Sequence, residues 1–429
     1  MFQTEEQVIA WIEKFGYSKG ERTLDHLYPI LKELGDPHLK IKTIHVAGTN
    51  GKGSTVAFLR EVLMAAKYQV GTFTSPHIIR FGERMAVNSV SMREEDLVKY
   101  GNRLRTILEV QPNLDSFASF DVITLLSFVY FSEVEDLDLV LYEAGIGGRV
   151  DSTNVIVPLV SAITNIGNDH AEILGKTKLE RAGEKAGIIK QDVPLFTTEE
   201  DPILLAKFKS ICERKGASFH QSLDQAKLLE INDSGVTFNW STYKDIKLSM
   251  HGEHQFKNAT LALSIINHLN DSRQLKVSKD DIYVGLQRTW WQGRFEHMQK
   301  KPPVVLDGAH NLEGIVALIE TLKRAYPQHK KKFIFSALQT KDTSEMLEII
   351  KEVATHITFT KGNHPGAQDG EVMYDRYNDS VNSAFDNNYQ AVVKSTVDTL
   401  ETNEILVICG SLYFISDVRH DLFERNRWK

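Results

Sequence analysis

Residues 43–47, Thr-Ile-His-Val-Ala, form an apolar run that ends at Gly48 and passes into helical spacing at Val56, Leu59, Leu63 and Ala66. Strand, glycine turn and helix open a βα unit, which commits the chain to an α/β architecture. Further apolar runs at 70–74, 137–142, 160–164 and 193–197 alternate with helix-period segments, so a mostly parallel sheet wrapped by helices is expected. The period changes to two within 227–250, where Val236, Phe238 and Trp240 alternate after Asn232-Asp233-Ser234-Gly235, and this predicts a small antiparallel insertion. Residues 293–303 mix charge with Pro302-Pro303 and read as a hinge. Beyond them, runs at 304–307, 333–336, 357–360 and 405–409 predict a second α/β domain. A chain of 429 residues is too long for one ordinary core, and the expected domains are 1–296 and 297–429.

Residues 1–19 predict an amphipathic helix with Val8, Ile9, Ile12 and Phe15 on one side, unlike a signal peptide. No apolar run reaches the ~20 residues of a membrane span. The net charge of -7, with no dense Lys/Arg stripe, argues against a nucleic-acid partner. Cys212 and Cys409 stand far apart, without metal-ligand spacing, so neither a disulfide framework nor a zinc site is expected and a reducing cytoplasm fits.

Gly48-Thr49-Asn50-Gly51-Lys52-Gly53-Ser54 joins the first strand to its helix. There, backbone N–H groups and the helix N-terminus can hold phosphates, and glycines let the backbone approach them. Lys52 supplies positive charge for the terminal phosphates, while Ser54 or Thr55 offers a hydroxyl to magnesium. The string is not the common P-loop pattern, because Val46 occupies the place of the first glycine and Gly53 separates Lys52 from Ser54. A ligand-free glycine turn is the plainer alternative; taken alone, the element speaks for a nucleotide and not for a reaction.

His45-Val46-Ala47-Gly48-Thr49-Asn50-Gly51-Lys52-Gly53-Ser54 and Thr74-Ser75-Pro76-His77 together resemble the opening motifs of the folylpolyglutamate synthase family, relatives of the Mur ligases. The likeness continues through Arg80-Phe81-Gly82-Glu83-Arg84, Glu143-Ala144-Gly145-Ile146-Gly147-Gly148-Arg149 and Asp151-Ser152-Thr153-Asn154. Asp169-His170, Leu174-Gly175, Glu184-Lys185-Ala186-Gly187, Gly293-Arg294-Phe295-Glu296, Asp307-Gly308-Ala309-His310-Asn311 and Gly410-Ser411-Leu412-Tyr413 complete it. Gln292, Asp121, Ser89 and Asn168 differ from the residues usual at their places.

The resemblance implies an N-terminal P-loop ATPase domain with a smaller C-terminal Rossmann-like α/β domain, and an ATP-dependent ligase that joins glutamate to a folate through an acyl phosphate. It implies ATP contacts at Thr49, Asn50, Gly51, Lys52, Gly53, Ser54, Asn258, Arg294 and Asp307. It implies magnesium, two ions being expected, at Ser75, Glu143, His170 and Lys185, with Lys185 carbamylated in some members of the family and otherwise paired with Glu184 or solvated. A carboxylate is a poor electrophile, and bringing two anions together for phosphoryl transfer needs such fixed positive charge. Glu143 follows the run at 137–142 and His170 follows another strand, so both belong at the C-terminal sheet edge, where open α/β sheets hold ligands. Taken singly, Glu143 is as readily a helix cap and His170 a loop histidine.

Lys52, Lys185, Asp307 and His310 are the candidate catalytic residues, Asp307 and His310 orienting ATP or moving the amine proton. An ion pair between Arg294 and Asp307 is the plainer alternative. Ser75, Pro76, His77, Phe120 and Asp121 are candidates for the pterin side, whereas Trp290 and Trp291 read as hinge packing. Expected partners are a folate or dihydropteroate, L-glutamate and ATP, with no nucleic acid, no membrane and a monomeric chain. Cell-wall Mur ligases carry an additional N-terminal domain for which the stretch before Gly48 leaves no room. A non-catalytic ATP-binding relative should have lost Lys52, Glu143, His170 or Asp307, and all four are present.

Overall fold

The computed structural model describes residues 1–16, 23–377 and 382–424. It contains two compact units, one from Met1–Ala226 with Lys257–Arg288, the other from Lys227–Phe256 with Thr289–Lys429. Among the described residues no helix is long and apolar enough to cross a membrane.

The first unit carries β1 Thr43–Ala47, β2 Val70–Phe73, β3 Met85–Val87, β4 Val90–Ser91, β5 Leu139–Glu143, β6 Val160–Ile163, β7 Leu195–Thr197 and β8 Phe219–Gln221. They form one sheet in the order β4-β3-β2-β5-β1-β6-β7-β8, parallel from β2 to β8, with β3 and β4 antiparallel at the edge. Every residue of β1, β2, β5, β6 and β7 is buried. That is why these strands read as continuous apolar runs: helices cover both faces. Phe73, Phe128, Phe131 and Tyr142 anchor one core cluster, which also takes in Val8 and Ile12 of the helix Glu5–Glu13. Ile163, Ile188, Leu195 and Phe208 anchor another. The first helix is shorter than the sequence suggests, and residues 17–19 of the expected span lie outside the described residues.

Register places the site. Val46 pairs with Glu143 and Ala47 with Ile163, so Gly48, Glu143 and Thr164 emerge together at the C-terminal edge of three adjacent parallel strands. Glu143 is the last residue of β5, not the first beyond it, and is therefore held by the ladder itself.

The second unit contains the antiparallel sheet of β9 Ala226–Asn232, β10 Gly235–Trp240 and β11 Tyr243–Leu248, with Val236, Phe238 and Trp240 buried as their alternation predicts. Its larger sheet has β12 Glu296–Lys300, β13 Pro303–Leu306, β14 Lys330–Phe335, β15 Ala354–Phe359, β16 Ser383–Phe385 and β17 Glu404–Cys409, in the order β12-β13-β17-β14-β15-β16. Only β12 runs antiparallel to its neighbour. Within the stretch 293–303, expected as a hinge, Glu296–Lys300 form this edge strand. Lys300 pairs with Pro303, so Pro302 makes a hairpin turn. The half-buried His297, Met298 and Gln299 show no apolar alternation by which pattern reading could have found β12.

Burial holds four imidazoles neutral far into acid: His45 down to about 3, and His77, His254 and His297 down to about 4, with smaller help from Lys190, Arg84, Arg294 and His251 respectively. Unfolding returns each to the ordinary value of about 6.5, so between about pH 6.5 and 4 the unfolded chain binds more protons than the native one. Stability must therefore fall as pH falls through that window, opposed by the Asp151 and Asp307 carboxyls, which burial pushes upward. Urea unfolding at pH 7 and pH 5 should show a lower midpoint at pH 5. A level or rising midpoint would refute the account.

Candidate active site

Gly48 leaves β1 at φ +147, and a Cβ there would lie 1.8 Å from the Thr164 hydroxyl. The turn is then tied to the strand beside it. Thr49 N–H donates to Asn165 O (2.9 Å), Asn50 N–H to Asn165 Oδ1 (2.9 Å), and Thr164 Oγ1–H to Asn50 O (2.6 Å). Gly167 N–H in turn donates to Thr49 Oγ1 (2.8 Å). Gly51, at φ +86, caps the helix Lys52–Ala65, whose first i→i−4 bond is Thr55 N–H to Gly51 O. The amides of Lys52 and Gly53 thus belong to the set that every helix offers to an outside acceptor. Ser54 and Thr55 are buried in the first turn of that helix. Asn258 packs on the turn, its Oδ1 2.2 Å from where a Gly51 Cβ would sit.

Two lysines converge here. Lys52 Nζ donates to Gly48 O and Thr49 O, both at 3.2 Å, and stands 3.8 Å from Glu143 Oε1. Lys185 Nζ donates to the same Gly48 carbonyl at 2.9 Å. Lys185 is buried, and its amine is lowered to about 7, first by desolvation and then by Lys52, against the pull of Asp169 and Asp151. A substantial share of it is therefore neutral near pH 7, about half, unlike an ordinary lysine. Gly148 and Gly187 are the reason its helix, Lys178–Lys185, approaches so closely: a Cβ at Gly148 would meet Lys185 O at 2.8 Å, and one at Gly187 would meet Arg149 Cα at 2.2 Å.

Ser75 N–H donates to Glu143 Oε2 at 3.3 Å, which brings two of the expected metal residues together. His170 is half-exposed, with the Asp169 and Glu172 carboxylates at 3.7 and 3.8 Å. Pro76 follows Ser75 through a cis peptide. His77 Nδ1 accepts from Arg84 Nε at 3.0 Å, so the neutral ring carries its proton on Nε2. Phe120 lies over Gly145, 2.7 Å from where that glycine's Cβ would be, which sets its ring beside the end of β5. Asp121 is committed elsewhere: Oδ2 meets Ala118 N–H (2.7 Å) and His26 Nε2 (3.1 Å), and Oδ1 takes the Ser152 hydroxyl. Burial raises its carboxyl, but bonds from His26, Ser152 and Ala118 outweigh that and leave it lowered. The Ala118 contact caps the helix Ser119–Glu133, Asp121 in its first turn reaching back to that amide.

Within the second unit, Asp307 follows β13 and accepts from Phe295 N–H at Oδ2 and from Ala309 N–H at Oδ1, both at 2.8 Å. Burial raises its carboxyl against the charge of Arg294, whose Nη1 donates to Gly293 O at 3.1 Å. His310 Nδ1 is 2.7 Å from Gly308 O; a carbonyl only accepts, so Nδ1 carries the proton and Nε2 of the neutral ring presents a lone pair. Trp290 is half-exposed with Arg419 over its ring at 5.6 Å, a packing contact.

Residues 46–266 match the Mur ligase middle domain family, and residues 293–412 match the Mur ligase glutamate ligase domain family. The dihydrofolate synthase/folylpolyglutamate synthase of Bacillus subtilis is 40% identical over 98% of this chain and 100% of its own. The chain belongs to the folylpolyglutamate synthase and dihydrofolate synthase family of Mur ligases. A crystal structure of the Thermotoga maritima folylpolyglutamate synthase superposes with a TM-score of 0.85 at 28% identity, covering 99% of this chain and 98% of that one. The Mycobacterium tuberculosis folylpolyglutamate synthase, solved with ADP and AMPPCP, gives 0.85 at 27% identity over 96% and 97%.

For a member of this family the donor set fits magnesium. Among the described residues no three His, Cys, Asp or Glu side chains cluster as a metal cage. A buried Glu143 beside the Ser75 loop and a phosphate turn is what Mg²⁺ uses, since it takes one or two carboxylates, phosphates and retained waters. Sequence reasoning missed Thr164 and Asn165, which hold the turn, and Arg181, which binds Gly167 O, Gly175 O and Lys176 O and so staples the loop bearing His170. Position at the end of β6, flush with β1, was the signal available for the first two.

Gly51→Ala should destabilise the protein by about 1–3 kcal/mol, from the left-handed backbone and the collision with Asn258. Adding Asn258→Gly should recover part of the loss in thermal melts. A Gly51→Ala protein that melts like the parent would disprove the close approach.

Proposed function

We propose that this chain uses ATP to join the amine of L-glutamate to the terminal carboxylate of a tetrahydrofolate through an acyl phosphate, releasing ADP and phosphate. Dihydropteroate is the second acid we assign to it, by likeness to the Bacillus subtilis relative that carries both names. One observation carries the reading: Lys52 and Lys185 share the Gly48 carbonyl, with Glu143 within 3.8 Å of Lys52, at the edge where β1 and β5 end.

Phosphoryl transfer to a carboxylate sets anion against anion, and positioning with fixed charge is most of what a protein can add. Lys52 supplies the cation at the turn, while Thr49, Asn50, Gly51, Gly53 and Ser54 shape the backbone around the phosphates. Asn258 supports the turn from its helix. Ser75, Glu143, His170 and Lys185 are the residues that would hold two Mg²⁺ ions, whose charge would offset repulsion between ATP and the acid. Because about half of Lys185 is neutral near pH 7, its amine can add carbon dioxide, losing a proton and becoming a carbamate. Ser75, Pro76, His77, Phe120 and Asp121 are assigned to the pterin side, Asp121 also accepting from the Ala118 amide at the start of its own helix. Arg294 offers its guanidinium to developing phosphate charge. Asp307 fixes the backbone around Arg294, and His310 Nε2 can receive the proton of the attacking amine. The division of labour follows residues 1–296 and 297–429, in a monomeric cytoplasmic protein acting on small molecules alone.

Incubation with ATP, magnesium, L-glutamate and either tetrahydrofolate or dihydropteroate should give the glutamylated acid by mass spectrometry; turnover of neither rejects the substrates. Lys52→Ala should cut turnover by about a thousandfold or more with melting nearly unchanged. Near-normal turnover would remove Lys52 from the chemistry.

The Lys185 carbamate should form more fully as pH rises through about 7, because only the neutral amine reacts. Protein stripped of carbon dioxide should regain activity with bicarbonate at pH 8, and ¹³C-bicarbonate should give a carbamate resonance that Lys185→Ala lacks. Activity indifferent to bicarbonate would leave the lysine unmodified.

A further inference from the structure

Phe295 sits at φ 45, in the left-handed region that a bulky side chain rarely enters. Such a backbone persists only where its surroundings over-determine it, and outliers of this kind gather at functional sites. The surroundings here are unusually complete. The ring is buried, near-parallel to His251 (centroids 5.1 Å, 27°) and to Tyr326 (6.2 Å, 25°), with His297 edge-on at 5.5 Å. Those neighbours are themselves fixed, His251 Nε2 to Asp233 O at 3.0 Å and His297 Nε2 to the Tyr326 hydroxyl at 2.7 Å.

The backbone is pinned as firmly. Phe295 N–H is held by Asp307, Gly308 N–H donates to Gly293 O at 2.8 Å, and Gly293 N–H donates to Glu296 Oε2 at 2.8 Å. Glu296 is itself bound by Arg419 Nε at 3.0 Å. The product of this knot is the placement of one side chain, Arg294. Its Nη1 lies 2.4 Å from where a Cβ of Gly308 would be, so the guanidinium crosses Gly308, which follows Asp307 in the chain.

We propose that Phe295 is a positioning residue for Arg294. Packed against His251 and Tyr326, it holds the left-handed turn that sets the guanidinium across Gly308, and the small antiparallel sheet, through Asp233 and His251, is the buttress. The proposal rests on the reading of Arg294 as a nucleotide residue, and the test separates the two.

Phe295→Leu and His251→Leu are made in the parent and in Arg294→Ala, and kcat/KM for ATP is measured well below each melting temperature. Each should lower it about tenfold or more in the parent and less than about twofold in Arg294→Ala, because a misplaced group and an absent one cost the same thing once. Equal losses in both backgrounds, or no loss in the parent, overturn the positioning role. If Arg294→Ala itself leaves kcat/KM for ATP unchanged, the assignment of Arg294 to the nucleotide is what fails. Where Phe295→Leu does not fold, Tyr326→Leu takes its place in the same comparison. Phe295→Gly should also melt above Phe295→Ala, since glycine alone meets the turn without strain; the reverse order overturns the strained turn.

Discussion

Two lysine amines donate to one backbone carbonyl, Gly48 O, and the rest of the first unit is arranged so that this is tolerable. Like charges that close repel, and burial makes the repulsion worse. The protein answers unequally. Lys52 keeps Glu143 within 3.8 Å, whereas Lys185, more deeply buried, is driven toward its neutral form. Two identical side chains are thus held at different protonation, and environment alone distinguishes them. Asp169 and Asp151 temper the shift without cancelling it, which keeps Lys185 near the midpoint of its titration at neutral pH.

Such crowding requires backbone without side chains. The loop of Gly145, Gly147 and Gly148 lets Phe120, Leu174 and the end of the Lys185 helix each press against the main chain; any Cβ there would meet atoms within 2.7–2.8 Å. Arg149 N–H donates to Glu184 O at 2.7 Å, so the contact is a hydrogen bond as well as a steric fit. The chain after β5 is therefore the mould in which Lys185 is set, which explains why its sequence is so rich in glycine. Asp151 closes the arrangement by accepting from Ile146 N–H and from the Thr153 backbone and hydroxyl.

What could be read in advance follows burial. β1 matches its expected span residue for residue because every position is buried between helices, leaving an uninterrupted apolar run with a glycine at its end. The glycine turn between β1 and the helix Lys52–Ala65 was legible too, because Gly48 and Gly51 break an apolar run just before helical spacing begins. β12 was not, since an edge strand with half-buried His297, Met298 and Gln299 carries no periodic signal, and Pro302 looked like a linker when it is a hairpin turn. Asp121 was visible as a carboxylate near a phenylalanine, but its partners His26 and Ser152 are remote in sequence and adjacent only in the fold. Asn165 was invisible as a motif because an asparagine after a strand is common; only the register of β1 against β6 gives it two amides to hold.

The two units solve the placement of charge by opposite means. In the first, Lys52 and Lys185 are long and flexible, and their positions are fixed by what their ends touch, above all one carbonyl. In the second, Asp307 is short, and both its oxygens are occupied by amides of the chain it orders, Phe295 and Ala309. A carboxylate used up in this way has little left for a substrate, and burial further penalises its charge. What it fixes is two turns, the one that follows Arg294 on one side and the one that precedes His310 on the other. Replacing it by asparagine would keep the size and lose one acceptor, so that one of the two turns is released. The side whose geometry loosens is the side on which the fixed carboxylate matters, and that is a structural question before it is a kinetic one.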